Sequence, residues 1–283
     1  MLLKIDQTAQ AYFIRSLTSE VAKPARDYLS LRGFNDEKLL ADYGIGWASP
    51  GWADTLNQLQ KQEKFSKKDI SRAGLIKQKE GSDQNNFYDR FRGRIMFPLQ
   101  DIHGNLIAFA GRIIDKTEPK YLNSPETPLY VKGRHLFGFN RAKEAIRKKN
   151  RALIVEGYLD QMRAHQNGIR NTVATCGTAL TLEQASLLKN HTKQVTLIFD
   201  SDSAGQAATK KGFEVLLSQG MSIEVLSLPS GHDPDSFIHQ FGPEKFLEKL
   251  KNAKPFVEIF IDDVISDGDL STPMGKVGVV NKV

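Results

Sequence analysis

The second half of the chain alternates between short apolar runs and segments with helical character. From residue 151 onwards, single helical segments separate the apolar runs ALIVEG, NTVATCG, VTLIFD and SIEVLSLP. Strands that alternate with single helices are typical of a parallel sheet with helices on both faces. We therefore predict an α/β fold with a doubly wound parallel sheet in this half of the chain.

Acidic residues follow three of these apolar runs. The three clusters are Glu156 with Asp160, Asp200 with Asp202, and Asp233 with Asp235. The carboxyl ends of parallel strands meet at one edge of a sheet, so the clusters are expected to lie close together. Carboxylates in such a group repel one another unless cations lie between them, and Mg²⁺, Mn²⁺ and Ca²⁺ are the cations that prefer oxygen ligands. Taken singly, each cluster has a structural alternative, a solvated turn or a helix N-cap. Taken together, they predict a divalent-metal site.

The first half carries a different pattern, with basic residues in and around β-rich runs. The segment RGRIMFPLQDIHGNLIAFAGRIID has two such runs around Gly104 and predicts a hairpin. Basic residues recur here as Arg90, Arg92, Arg94, Arg112, Lys120 and Lys132. If Arg90, Arg92 and Arg94 lie on one strand, alternation places them on one face, which suits a groove that follows phosphates. The alternative is a solvated edge strand. A basic helix, RAKEAIRKKN, leads into the second half.

Composition narrows the class of protein. The net charge is +6 and the pI is about 9.2 despite the acidic clusters, which points to a polyanionic partner or, more simply, to solubility. The one cysteine, Cys176, excludes an internal disulfide and a cysteine-rich zinc site. No apolar run approaches the roughly 20 residues of a membrane helix, and the N-terminus lacks the layout of a secretory signal. We therefore expect a cytoplasmic protein without a membrane partner.

These motifs resemble two modules of one family. The strings EGYLD, GTALT, DSDSAG and HDPD are similar to the Toprim module, the metal-binding domain shared by primases and topoisomerases. The strings DRFRGRIMFPL, AGR, KYLNSPETPLYVKG and LFG resemble the basic N-terminal subdomain of bacterial replicative primases. The resemblance covers about residues 1–275. It implies an N-terminal mixed α/β subdomain at 1–149 that binds template and nucleotide, a Toprim catalytic domain at 150–238, and the start of a C-terminal helical subdomain at 239–283.

The resemblance also implies an activity and a set of site residues. The activity is that of a DNA-dependent RNA polymerase core that makes short RNA primers on single-stranded DNA. The implied catalytic residues are Glu156, Asp200 and Asp202. The implied metal ligands are Glu156, Asp160, Asp200, Asp202, Asp233 and Asp235. The residues expected to bind nucleotide or DNA are Arg32, Arg90, Arg92, Arg94, Arg112, Lys120, Asn123 and Lys132.

The expected cofactors are two or more Mg²⁺ or Mn²⁺ ions, with no zinc. The expected partners are the single-stranded template, NTPs and the RNA–DNA primer, with the replicative helicase and single-strand binding protein for full-length members of the family. Such members begin with a Cys/His zinc module and end with a helicase-binding domain, and we expect neither in this chain.

Two other functions stay open: a Toprim nuclease or topoisomerase-like fragment with Tyr158 as nucleophile, and a non-catalytic DNA-binding scaffold.

Overall fold

The chain divides into two units after Asn140. The computed structural model describes residues 1–79, 86–115, 117–177, 179–198, 203–266 and 272, without the side chains of residues 203–210, 262–264 and 266. The first unit is Met1–Asn140, and the second begins at Arg141. Each unit has its own sheet, and each is described by itself.

The first unit contains a four-stranded antiparallel sheet and a set of helices. Its helices are α1 (Leu2–Leu17), α2 (Lys23–Leu31), α3 (Glu37–Tyr43), α4 (Asp54–Glu63) and α5 (Lys67–Arg72). Its strands are β1 (Gly46–Ala48), β2 (Ile76–Gln78), β3 (Phe87–Asp89), β4 (Arg94–Gln100), β5 (Leu106–Ile113) and β6 (Tyr121–Asn123). The sheet order is β1-β4-β5-β6, and β2 pairs separately with β3.

The predicted hairpin is confirmed as β4 and β5, which pair antiparallel from Arg94↔Ile113 to Gln100↔Leu106. In its turn the Asp101 carboxylate accepts the backbone N–H groups of His103 and Asn105, at 2.8 and 2.9 Å. Gly104 has a φ of 90°, a conformation that glycine adopts without strain. Turn chemistry and strand pattern thus agree in this segment.

Helix α1 packs its apolar face on the sheet. Phe13 is 1% exposed, and its ring meets that of Phe109 on β5 edge to face, with centroids 5.4 Å apart. The helix also approaches β1 closely. A Cβ on Gly46 would lie 2.5 Å from the carbonyl carbon of Phe13, so this approach requires glycine at position 46.

The second unit has the predicted parallel sheet. Its elements in chain order are α6 (Phe139–Lys149), β7 (Ala152–Val155), α7 (Tyr158–Gln166), β8 (Thr172–Ala174), α8 (Leu182–Lys189), β9 (Gln194–Leu197), α9 (Ser203–Ser218), β10 (Ser222–Val225), α10 (Pro234–Phe241), α11 (Pro243–Lys251), β11 (Lys254–Pro255) and α12 (Phe256–Ser266). The sheet order is β11-β10-β9-β7-β8. Strands β10, β9, β7 and β8 run parallel, and β11 pairs antiparallel with β10. The prediction of an α/β fold with a parallel sheet is confirmed.

The strands at the centre of this sheet are buried, except at Gln194 where β9 begins. Leu153 and Ile154 on β7 and Leu197 on β9 are each 0% exposed. Buried, mainly apolar strands are expected where helices cover both faces of a parallel sheet. Within the described part of the chain, no helix combines the length and the apolar character that spanning a membrane demands.

Candidate metal centre and nucleic-acid surface

Glu156 lies at the carboxyl edge of the parallel sheet, directly after β7. Its backbone carbonyl accepts the N–H of Cys176, which follows β8, at 2.9 Å. On the other side of β7, the N–H of Ile198 donates to the carbonyl of Ile154 at 2.9 Å. The sheet is therefore paired up to this edge on both sides of β7. The half-buried Glu156 is held where the sequence predicted it.

Asp160 joins the first acidic cluster to the third. It lies in the first turn of α7, where Gly157 is the N-cap and has no side chain of its own to cap the helix. Asp160 Oδ2 accepts the N–H of Gly157 at 2.9 Å, and Oδ1 accepts the N–H of Asp235 at 3.0 Å. Asp160 thus caps the N-terminus of α7 and also binds the first turn of α10.

The two aspartates of the third cluster have different surroundings. Asp233 is the N-cap of α10, and its Oδ1 accepts the N–H of Ser236 at 2.7 Å. Asp235 accepts a bond from Arg163 Nε on α7 at 2.8 Å, and the two side chains are 3% and 5% exposed. This buried ion pair neutralises one carboxylate of the cluster and holds α7 against α10.

The second cluster, Asp200 and Asp202, lies outside the described residues. Strand β9, which precedes it in the chain, ends at Leu197 between β7 and β10. Among the residues that the structure does describe, no group of three or more His, Cys, Asp or Glu side chains is arranged to hold a metal ion. The donor chemistry nevertheless fits a hard cation, because the acidic segments that Asp160 joins supply carboxylate oxygens, the ligands that such ions prefer.

In the first unit, the prediction that Arg90, Arg92 and Arg94 share one face of a strand is wrong. Strand β4 begins at Arg94, so Arg90 and Arg92 precede it and do not share its alternation. Arg90 donates from Nε and Nη2 to the carbonyl of Asn123, at 3.2 and 2.8 Å. The chain bends at Gly93, where φ is 59°, and this bend interrupts the strand geometry that the spacing suggested.

Arg94 is a structural residue of the same region. It is 6% exposed, and its Nη1 donates to the carbonyls of Gly111 at 3.1 Å and Pro119 at 2.9 Å. Burial lowers the pKa of both Arg90 and Arg94. Together the two guanidinium groups hold the segment 119–123, which carries the exposed Lys120 and the half-buried Asn123.

Two of the other predicted arginines, Arg112 and Arg32, make cation–π contacts with tyrosine rings. Arg112 donates from Nη1 to the Tyr121 hydroxyl at 2.6 Å, and its guanidinium lies 5.0 Å from the ring centroids of both Tyr121 and Tyr28. Arg32 lies 5.7 Å from the Tyr28 ring. Lys132 begins a short 3₁₀ turn, and its N–H donates to Glu126 at 3.1 Å.

Comparison with known proteins identifies the family. Residues 12–143 match the family profile of the DNA primase catalytic core, N-terminal domain, and residues 153–238 match a Toprim-like profile. A crystal structure of a DNA primase domain from Pseudomonas aeruginosa superposes with a TM-score of 0.89 at 35% identity, covering 99% of this chain and 87% of that one. The chain belongs to the DNA primase family.

Other primases agree with this assignment. The DNA primase of Clostridium acetobutylicum is 40% identical over 270 residues, which cover 95% of this chain and 44% of that protein. The Escherichia coli K12 primase is 37% identical over 278 residues, covering 97% and 47%. A DnaG primase catalytic domain bound to ssDNA superposes with a TM-score of 0.87 at 33% identity, covering all of this chain and 90% of that one. The chain spans less than half the length of these curated relatives.

The first unit also carries an exposed aromatic–cation cluster of Trp52, Tyr88 and Arg92, which was not predicted from the sequence. Trp52 is 67% exposed. The Arg92 guanidinium lies 4.2 Å from the Trp52 ring centroid and 5.4 Å from that of Tyr88. Trp47 has a similar setting in GWASPGW but is 4% exposed, so the local sequence does not distinguish the two tryptophans. The glycine and proline around Trp52, which favour a loop, were the one signal in the sequence.

The topoisomerase-like alternative loses its candidate nucleophile in this structure. Tyr158 is 2% exposed at the start of α7. A tyrosine that attacks a DNA phosphate has to reach the backbone of a bound strand, which a buried phenol does not do. The matches to primase cores over almost the whole chain also disfavour this alternative.

Proposed function

We propose that this chain is the catalytic core of a primase, which makes short RNA primers on single-stranded DNA for replication. The observation that carries the proposal is the bond from the Asp235 amide to Asp160, which joins two acidic segments beside Glu156. Membership of the primase family supports it, as does the related catalytic domain bound to ssDNA.

The proposed chemistry is nucleotidyl transfer. The 3′-hydroxyl of one nucleotide attacks the α-phosphorus of an incoming NTP, a new P–O bond forms, and pyrophosphate leaves. Glu156 takes the hydroxyl proton, directly or through water, because it lies at the sheet edge and is half-buried. Asp235, by contrast, is paired with Arg163 and is a weaker candidate for a base.

We propose that the same edge holds two or more Mg²⁺ or Mn²⁺ ions and no zinc. The proposed ligands are Glu156, Asp160, Asp200, Asp202, Asp233 and Asp235. When bound, the ions supply neutralisation of charge on the attacking and leaving oxygens. The protein's part is to hold the carboxylates in place, which Asp160 does through its bonds to the start of α7 and the start of α10.

We propose that the first unit binds template and nucleotide. Lys120, Asn123 and Lys132 contact phosphates and sugars, and the bonds of Arg90 and Arg94 to segment 119–123 set the position of that segment. Arg112 and Arg32, whose guanidinium groups both lie near the Tyr28 ring, add positive charge to this surface. Trp52 with Arg92 and Tyr88 offers a stacking surface for template bases, since aromatic rings bind bases of any sequence.

The proposed domain organisation follows the functional parts. Residues 1–149 bind template and nucleotide, 150–238 form the Toprim catalytic domain, and 239–283 begin a helical subdomain. The two compact units and the two family matches support this division, with the first boundary placed at the end of α6. The proposed partners are single-stranded DNA, NTPs and the RNA–DNA primer, with helicase and single-strand binding protein for the full-length protein, and the proposed location is the cytoplasm.

The test of the activity is de novo RNA synthesis. The protein is incubated with single-stranded DNA, four labelled NTPs and Mg²⁺ or Mn²⁺, and RNA products are separated by size. Glu156→Gln keeps the shape of the side chain but removes the base, so synthesis should fall by about 10²-fold or more. Glu248→Gln is the matched control, because Glu248 is exposed on α11 in the same unit, and it should leave synthesis unchanged.

The outcomes separate the functions. RNA that forms equally well with Glu156→Gln would remove Glu156 from the chemistry. Cleavage of the template without NTPs would favour the nuclease alternative, and DNA binding with no synthesis under any metal would favour the scaffold.

A further inference from the structure

The amino-terminal edge of the parallel sheet carries a cluster of cations that the proposed reaction does not use. This basic edge comprises Arg147, Lys148, Lys149, Arg170, Lys189 and Lys193. Lys148 and Lys149 are the last residues of α6, before β7; Arg170 precedes β8; Lys189 and Lys193 precede β9. Because these three strands are parallel neighbours in the order β9-β7-β8, their amino ends meet at one edge, opposite Glu156.

Side-chain amides join the loops of the basic edge into one platform. Lys149 Nζ donates to Asn171 Oδ1 at 3.2 Å, and Asn171 Nδ2 donates to the carbonyl of Arg151 at 2.9 Å. On the other side of β7, Thr192 Oγ1 donates to Asn150 Oδ1 at 3.1 Å. Asn150 itself has a φ of 44°, a left-handed conformation that asparagine tolerates better than most residues. These hydrogen bonds hold the loops that carry the cations in fixed positions relative to one another.

The positive charge of this edge is mostly uncompensated. Arg147 pairs with Glu144, and Arg151 nearby pairs with Glu224. Lys148, Lys189 and Lys193 are exposed, and none forms an ion pair with an acidic side chain in the described part of the chain. Burial mainly, and then the charge of Arg170 on the edge and that of Arg141 at the start of α6, lower the pKa of His165 to about 4.

The chemistry of the edge favours a phosphate backbone over other partners. Residues 147–151, 167–171 and 189–193 contain no Phe, Tyr or Trp, so they lack both the rings that stack on single-stranded bases and the aromatic anchors of protein interfaces. Cations without stacking rings suit a duplex, whose bases are covered and whose phosphates are exposed. A strand of four residues separates the two edges by about 13 Å, so the basic edge and Glu156 lie at opposite ends of β7.

From this arrangement we infer that the basic edge is a second nucleic-acid site, which binds the backbone of duplex DNA without regard to sequence. It is separate from the site where the primer is made, and its binding requires no divalent metal. It would hold the protein to double-stranded DNA next to a single-stranded template.

The test compares two triple variants with equal loss of charge. Lys148→Ala/Lys189→Ala/Lys193→Ala removes cations from the edge, and Lys249→Ala/Lys251→Ala/Lys254→Ala removes as many from α11 and β11. Binding to a fluorescent 30-base-pair duplex is measured by anisotropy, with EDTA present, over a range of salt concentrations. The slope of log affinity against log salt is negative, and it should become shallower by about 0.9 for each phosphate that the edge variant no longer neutralises, while it should stay at the parent value in the control.

Further arms separate the edge from the primer-synthesis site. A single-stranded oligonucleotide and an RNA–DNA hybrid replace the duplex, and polyglutamate stands in for an acidic protein. We expect the edge variant to lose duplex binding while its RNA synthesis on single-stranded DNA stays at the parent level. The inference is overturned if the edge and control variants bind duplex equally, or if the edge variant loses only single-strand, hybrid or polyglutamate binding.

Since duplex binding is measured without metal or NTPs, the result stands even if the chain makes no RNA. Lys193→Glu, with its circular dichroism spectrum compared with that of the parent, repeats the test with one exposed substitution.

Discussion

A single carboxylate limits the stability of the first unit. Asp6 on α1 is 1% exposed, and its Oδ1 has no hydrogen-bond partner in the described structure. Burial raises the pKa of Asp6 from 3.8 to about 7. The unfolded chain releases this proton at lower pH than the folded chain does, so stability falls as pH rises from about 4 through 7 and is then level.

Asp6→Asn should remove this pH dependence. Asparagine keeps the shape of the side chain and carries no charge, so the free energy of unfolding at pH 8 should rise by roughly 2 to 4 kcal/mol. Urea unfolding at pH 5, 6, 7 and 8 measures the difference between variant and parent. The gain should grow with pH and stop growing above pH 7. A gain that is equal at all four values would mean that Asp6 is already ionised in the folded protein at pH 5, and would contradict the raised pKa.

At the scale of elements, helix α4 depends on a residue that is distant in sequence. Its N-cap position is Ala53, which has no capping side chain. Asp89 at the end of β3 replaces the cap and accepts the N–H groups of Thr55 and Leu56, at 2.7 and 3.0 Å. Because Asp89 is 1% exposed, water does not reach these groups if the carboxylate is removed.

We expect Asp89→Ala to lower the free energy of unfolding by about 2 to 4 kcal/mol, since two buried N–H groups lose their acceptor. The matched control is Asp36→Ala. Asp36 also accepts two N–H groups, from Lys38 and Leu39 at the start of α3, but it is exposed. Water can replace it, so its loss should cost about 1 kcal/mol. Equal losses in denaturant unfolding would contradict the role given to burial.

The contact between α7 and α10 rests on the buried pair of Arg163 and Asp235. Arg163→Met should lower the free energy of unfolding by about 3 to 5 kcal/mol, because the buried carboxylate of Asp235 loses the cation that it is paired with. The double variant Arg163→Met/Asp235→Leu removes both charges and should recover most of that loss. If Asp235 is also a metal ligand, the double variant folds but makes no RNA. Recovered folding together with recovered synthesis would assign Asp235 a structural role alone.

The elements divide into those that sequence could predict and those that it could not. The alternation after residue 151 and the turn at Gly104 are local patterns, and the parallel sheet and the hairpin followed from them. The cap on α4 could not be predicted, because Asp89 lies 34 residues from Thr55. The arginine row failed for a related reason: alternation predicts a shared face only within a strand, and the bend at Gly93 separates Arg92 from Arg94.

For the molecule as a whole, the sequence predicted two kinds of surface without giving their contacts. Glu156 could be placed from its position after an apolar run. The bonds that Asp160 makes to Gly157 and Asp235 could not, since they depend on how α10 meets α7. The basic residues of the first unit were identified by type, but structure divides them between those that bind the chain's own carbonyls, as Arg94 does, and those that are exposed, as Lys120 is.

The role of the exposed aromatic–cation cluster around Trp52 can be tested by its effect on template binding. Trp52→Ala should weaken binding of single-stranded DNA by about 1 to 3 kcal/mol, by the same amount for a homopolymer and for a mixed sequence. Phe241→Ala is the control, because Phe241 is another exposed aromatic residue, in the second unit. Anisotropy titrations of both variants against both oligonucleotides measure the effect. A loss confined to one sequence, or an equal loss in the control, would contradict a stacking role for Trp52.

The contacts that we propose for the template also determine how selective the whole chain can be. In these proposed contacts Lys120 and Lys132 bind phosphates and Trp52 stacks on base faces, so neither kind of contact reads the edges of bases. We therefore expect priming by this chain to start at many positions, with little preference for a template trinucleotide. Mapping the 5′ ends of primers on templates that differ in one trinucleotide measures this preference. A preference of about tenfold or more for one trinucleotide, the discrimination given by one good base-edge contact, would show that this core reads sequence itself.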